Sequence, residues 1–288
     1  MTQADKLKEL VKQQEINYKP RFTKFIAITS GKGGVGKSTI SANLAYALHS
    51  LGFKVGLFDA DIGLANLDVL LNVSTKQNIL HVLKGEAEFK DIILEVEKDF
   101  FLIPGDSGNE ILKYSDEFLF DRFVSGLDIL NDLDFLVIDT GAGIGKEVQT
   151  FLNASDEVFV IVAPEPASIT DAYAVVKMLN ESRDRIFLLF NMVDSQKEAT
   201  SIYQRIANVA KAKLKPDLKL QIIGYVRKDN LIQKSTIKRT LFSKDNPTST
   251  SSEEIFKIAK KIAQILERKV LVEEEIGIGR FFKKLFHF

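Results

Sequence analysis

Cysteine is absent from the 288 residues. No disulfide, thiolate nucleophile, iron–sulfur ligation or cysteine-bound zinc can be built, and nothing suggests a stapled secreted scaffold. Net charge is absent too, with 39 basic Lys+Arg against 39 acidic Asp+Glu. That balance argues against a protein whose main work is coating nucleic acid, so no stable nucleic-acid binding is expected, although a local basic patch stays compatible. No apolar run approaches the roughly 20 residues that cross a bilayer, and the first residues lack the apolar centre of a secretion signal. A cytoplasmic protein is expected. Internal repeats are missing as well. What remains, 45% hydrophobic and 27% charged, is an ordinary globular composition at a length suited to one large domain or two modest ones.

Short apolar runs alternate with longer stretches of helical period. The runs at 25–28, 55–58, 100–103, 135–138, 158–162, 186–190 and 220–223 read as strands, most of them apolar on both faces. The segment from Ile40 to Leu51 carries Ile40, Leu44, Ala47, Leu48 and Leu51 on one stripe. Alternating β and α predicts an α/β fold: a three-layer, doubly wound, mostly parallel sheet. The polar stretch from Ser243 to Ser252 reads as a loop, with Thr250 to Ser252 available as caps for a helix from Glu253 to Lys269. Both ends fall outside the alternation, which divides the chain into segments 1–19, 20–270 and 271–288.

The first strand runs into Gly31-Lys32-Gly33-Gly34-Val35-Gly36-Lys37-Ser38-Thr39, which opens a helix. This is G-x-x-x-x-G-K-[ST] in strand–loop–helix context, a phosphate-binding loop. Glycines let successive N–H groups face phosphate oxygens, and the helix N-terminus adds partial positive charge. Lys37 is expected on the β- and γ-phosphates and Ser38 on Mg²⁺. Two strands close in aspartate: Phe58-Asp59-Ala60-Asp61 and Ile138-Asp139-Thr140-Gly141. At the carboxyl edge of a parallel sheet both face the ligand crevice, and an apolar strand ending in Asp is the pattern that holds Mg²⁺ directly or through water.

The second loop lysine, Lys32, makes the loop resemble the deviant phosphate loop of the MinD/ParA ATPases. The segment from Asp59 through Asp61, Gly63, Leu64, Asn66 and Leu67 to Asp68 resembles that family's first switch, D-x-D-x-G-L-x-N-L-D. Asp139-Thr140-Gly141-Ala142-Gly143 resembles the second switch, D-x-P-A-G, with Gly141 in place of proline. The resemblance spans about residues 24–270. It implies ATP/ADP and Mg²⁺ as ligands, slow hydrolysis to ADP and phosphate, and a homodimer formed with ATP in which Lys32 reaches the partner's phosphates. Asp61 then orients the attacking water, and Asp59 and Asp139 hold Mg²⁺-bound waters. Asn191-Met192-Val193-Asp194 differs in one residue from the guanine-reading N-K-x-D, but members of the family use the corresponding Asn on adenine. Tyr225-Val226-Arg227-Lys228-Asp229 resembles the V-P-x-D segment beside the base, with Arg227 replacing proline. Asp229 reads equally as a helix cap.

The two ends refine the resemblance. Ile278, Phe281, Phe282, Leu285 and Phe286 follow helical spacing, with Arg280, Lys283, Lys284 and His287 about half a turn away. An aromatic face opposite a basic one suits an anionic membrane surface; a terminal helix docked on the domain's own core is the alternative. At the other end, Gln3, Leu7 and Leu10 share a stripe, and residues 2–8 resemble the D-Q-A-x-x-L-R segment of the FlhG (YlxH, FleN) subgroup. There the helix activates the GTPase FlhF, with its glutamine near the partner's nucleotide; a plain solvated glutamine is the other reading. Together these imply a membrane-associating switch that sets flagellar number and placement, with FlhF and flagellar basal-body or switch-ring components as partners. A division-site MinD and a DNA-partitioning ParA are the alternatives.

Overall fold

The structure is a computed structural model that describes residues 23–61, 65–105 and 132–267. In chain order the strands are β1 (Lys24–Ser30), β2 (Val55–Ala60), β3 (Leu94–Glu97), β4 (Phe100–Ile103), β5 (Phe135–Ala142), β6 (Glu157–Val162), β7 (Arg185–Val193) and β8 (Lys219–Arg227). They form one sheet in the order β3-β4-β2-β5-β1-β6-β7-β8. All pairings are parallel except β3 with β4.

Seven of these are the strands read from sequence. β3, Leu-Glu-Val-Glu, is the addition: it is an edge strand, only half-buried, so its alternating acids make no long apolar run. The two aspartate-bearing strands also run past their aspartates, to Ala60 and Ala142, because β2 and β5 stay in register through Asp59↔Asp139 and Ala60↔Thr140.

The helices are α1 (Lys37–Ser50), α2 (Leu67–Leu70), α3 (Ile79–Leu83), α4 (Phe89–Ile92), α5 (Lys146–Ala154), α6 (Pro166–Leu179), α7 (Gln196–Lys213), α8 (Asn230–Ile237), α9 (Phe242–Asp245) and α10 (Thr250–Glu267). They cover both faces of the sheet, the arrangement that two-sided apolar strands require. Ile26, Ile28, Val137, Phe159 and Leu189 face a core shared with α1, α9 and α10. Their chain neighbours point the other way: Phe25, Leu136 and Ile138 toward α5, and Val160 and Leu188 toward α6 and α7. Each Phe or Leu fully buried here contributes about 1.5–3 kcal/mol.

Two expectations near the C-terminal side change. The helical turn α9 runs into the stretch 243–252, and α10 begins at Thr250 instead of Glu253. The cap is Ser249, whose hydroxyl accepts the Ser252 N–H at 3.2 Å. Ser251 and Ser252 are therefore buried inside the first turn, with Ser252 Oγ donating to the Phe242 carbonyl at 3.2 Å.

Candidate functional site

The loop between β1 and α1 lies at the carboxyl edge of the central strand, flanked by β5 and β6. Its glycines answer to specific demands. A Cβ at Gly31 would stand 2.2 Å from the Asp171 backbone, so the loop can pass under the start of α6 only with glycine there. Gly36 has φ +84, and a Cβ on it would stand 2.4 Å from Asn191 Nδ2. Gly33 and Gly34 are exposed, Val35 is buried, and Ser38 and Thr39 are half-buried at the start of α1.

Lys37 opens α1 and is buried, its Nζ 3.1 Å from Asp139 Oδ1 and 3.4 Å from Asp61 Oδ2. Asp139 is fully buried, and its Oδ1 also accepts from Ser41 Oγ at 2.8 Å. Ser41 escaped the sequence reading. The available signal was its place four residues after Lys37, one turn along the same helix face. Asp139 Oδ2 is buried with no partner among the described residues. A carboxylate oxygen in that position fits a metal-bound water, since buried acceptors are otherwise satisfied.

Asp59 lies beside Asp139 on the neighbouring strand. Its Oδ2 accepts the N–H groups of Asn66 at 2.9 Å and Leu67 at 3.0 Å, and its Oδ1 accepts that of Asp61 at 3.3 Å. Asp59 thus ties down both ends of the first switch segment, of which residues 62–64 lie outside the described part. Burial pushes its carboxyl up to about 6, against the backbone hydrogen bonds that favour the charge. Asp61 is half-buried, and desolvation raises its pKa more than Lys37 lowers it. Gly141, the departure from proline, sits against it: a Cβ there would meet Asp61 Oδ1 at 3.4 Å. Among the described residues no group of three or more His, Cys, Asp or Glu could hold a metal alone.

Lys32 stands apart from this cluster. It is exposed and pairs with Glu165 of its own chain, Nζ to Oε2 at 2.8 Å.

Beside the loop is a cavity of about 390 Å³ lined by Gly36, Thr39, Asn191, Met192, Arg227 and Asp229 among others. Asn191 Nδ2 donates to the Val35 carbonyl at 2.8 Å, and its Oδ1 is buried with no partner among the described residues. Met192 takes φ +60 at the mouth. Both readings of Asp229 find support, for it lines the cavity and caps α8, its Oδ1 accepting the Leu231 N–H at 2.8 Å. Val226 is fully buried in the core beside Asn191 in the ladder, so its side chain packs the sheet and does not line the cavity. Gln3, Leu7, Leu10 and the tail residues Ile278, Phe281, Phe282, Leu285 and Phe286 lie outside the described residues.

Comparison with known proteins agrees with this geometry. A ParA-family profile, described as NUBPL iron-transfer P-loop NTPase, matches residues 21–263. The flagellum site-determining protein YlxH of Helicobacter pylori is 50% identical over 264 residues, 91% of this chain and 90% of that protein. The antiactivator FleN of Pseudomonas aeruginosa is 38% identical over 82% of this chain and 85% of its own. Among solved structures, the MinD cell division protein of Aquifex aeolicus superposes with a TM-score of 0.68 at 26% identity, covering 88% of this chain and all of that one. The chain belongs to the ParA/MinD family of P-loop NTPases and is an ATPase.

Proposed function

We propose that this chain is a nucleotide-driven switch in flagellar placement: it dimerises with ATP, associates with an anionic membrane surface, and activates an FlhF-type GTPase. The flagellar part rests on its 50% identity to a flagellum site-determining protein over nine-tenths of both chains. The alternative of a division-site protein has the fold likeness to MinD but less sequence identity behind it.

One observation carries the mechanism: the loop's two lysines occupy different environments. Lys37 is buried between carboxylates and stays with its own site, where it neutralises charge on the β- and γ-phosphates. Lys32 is exposed and held by a surface partner, Glu165. Exposed pairs are weakly held, so Lys32 can leave Glu165 for the phosphates of a second copy. Hydrolysis then depends on dimerisation, as with an arginine finger supplied in trans.

Within one site the chain's residues divide the work. The backbone N–H groups of 33–38 cradle the phosphates. Asp61, with its raised proton affinity, orients the water that attacks the γ-phosphorus as the bond to the ADP oxygen breaks. Ser38 and Asp139 would hold Mg²⁺, directly and through water, with Asp59 placing the first switch; the ion supplies charge neutralisation across the phosphates. Asn191 presents an acceptor to the base, which matches the 6-amino group of adenine and not the 6-oxo group of guanine. The segments 1–19 and 271–288 serve the GTPase and the membrane respectively.

The test is complementation. A Helicobacter pylori strain lacking YlxH, given this chain, regains its normal number and position of flagella by electron microscopy, and the Lys37→Ala form does not. Restoration of neither would contradict the flagellar assignment.

A further inference from the structure

Two side chains in the first turn of α10 hold the wall of the base cavity. Glu254 is only 5% exposed and pairs with Arg227. Its Oε1 accepts from Arg227 Nε at 2.6 Å, and its Oε2 accepts the Arg227 backbone N–H at 2.9 Å. Three residues earlier, Ser251 Oγ donates to Asp229 Oδ2 at 2.9 Å. The segment gripped between them, 227–229, lines the cavity together with Asn191 and Met192.

That segment needs an outside hold. The β7–β8 ladder shifts register between Asn191 and Val193, where Met192 adopts φ +60. Past this irregularity the ladder reaches the segment through the Lys228 N–H to the Val193 carbonyl, at 2.9 Å. A proline at 227, as in the segment this one resembles, would restrain φ by its own ring. Arginine leaves φ free and adds a backbone N–H that must be satisfied. Glu254 answers both needs, since one carboxylate takes the N–H and the guanidinium together, in charge-assisted bonds.

We infer that Glu254 and Ser251 are positioning residues for base recognition, fixing 227–229 so that the cavity accepts an adenine ring while the phosphate grip stays with the loop at 31–39. This rests on the ATP reading above. It separates two parts of nucleotide affinity that a general structural role would move together.

The experiment is calorimetric titration of the full chain with Mg²⁺-ADP and, separately, with Mg²⁺-pyrophosphate. The proteins are wild type, Glu254→Gln, Ser251→Ala and the double variant Arg227→Met/Glu254→Gln, which removes both charges and so avoids a lone buried one. With Glu254→Gln and with the double variant, ADP affinity falls about tenfold, as expected for loss of a charge-assisted hold, and pyrophosphate affinity changes less than about twofold. Ser251→Ala gives a smaller loss of the same selective kind. In steady state Glu254→Gln raises the KM for ATP and leaves kcat in place. Unchanged ADP affinity overturns the inference, and so does a parallel loss of ADP and pyrophosphate. A wild-type protein that binds pyrophosphate but prefers no adenine nucleotide contradicts the ATP reading instead, a separate outcome.

Discussion

Asn191 donates its Nδ2 to the carbonyl of Val35 at 2.8 Å, across 156 residues of sequence. The bond decides which way the amide faces. A carbonyl oxygen can only accept, so the NH₂ group must point to Val35, which leaves Oδ1 buried with no partner among the described residues. Strand β7 and the phosphate loop are thereby joined by the same side chain that we propose reads the base.

Asn191→Ala should accordingly weaken ATP binding about tenfold and abolish its preference over GTP, since one hydrogen bond and its discrimination are lost together. Competition between the two nucleotides in a fluorescence titration reads both effects. A variant with the parental ATP preference would remove Asn191 from base recognition.

Lys37→Ala should lose nucleotide binding and also fold stability. It leaves Asp139, fully buried, without its ammonium partner, and breaking a buried pair costs about 3–5 kcal/mol. The double variant Lys37→Ala/Asp139→Asn should recover most of the stability and none of the binding. Denaturant unfolding checks the first, calorimetry the second. Equal stability of the wild type and the single variant would show that the pair contributes nothing.

Asp61→Ala should keep Mg²⁺-ATP affinity, lose hydrolysis, and accumulate as a dimer on size exclusion in ATP. The half-buried Asp61 is held near Lys37 but, unlike Asp139, has part of its surface open to the crevice. Hydrolysis at the parental rate would take the water-orienting role from it.

Seven strands were legible because most of them are apolar on both faces, as in a sheet covered on both sides. The edge strand β3 was not, since Glu95 and Glu97 interrupt its apolar residues and its pairing with β4 is set by the neighbouring strand. The phosphate loop and the strand aspartates could be read because their chemistry is local. Ser41 and Glu254 were not read, because each takes its role from a partner 98 and 27 residues away; only the four-residue spacing of Ser41 from Lys37 hints at the first locally.

A peptide of residues 1–20 should stimulate GTP hydrolysis by an FlhF-type GTPase, and the Gln3→Ala peptide should bind with similar affinity and stimulate less. In the proposed division Leu7 and Leu10 would supply docking and Gln3 would act at the nucleotide. Equal stimulation by the two peptides would reduce Gln3 to a solvated residue.

The central claim, a switch whose membrane attachment follows its nucleotide, is tested most directly by co-sedimentation of the full chain with anionic liposomes in ATP or ADP. One copy of a tail as short as 271–288 binds weakly, because ordering and immobilising it offset much of the roughly 1.5–3 kcal/mol that each buried Phe or Leu contributes. Two copies on an ATP dimer bind far better through effective concentration. The account predicts pelleting with ATP, release with ADP, and no pelleting of Phe282→Glu in either, although that variant still dimerises with ATP. Binding that ignores the nucleotide, or no binding in ATP, would contradict it.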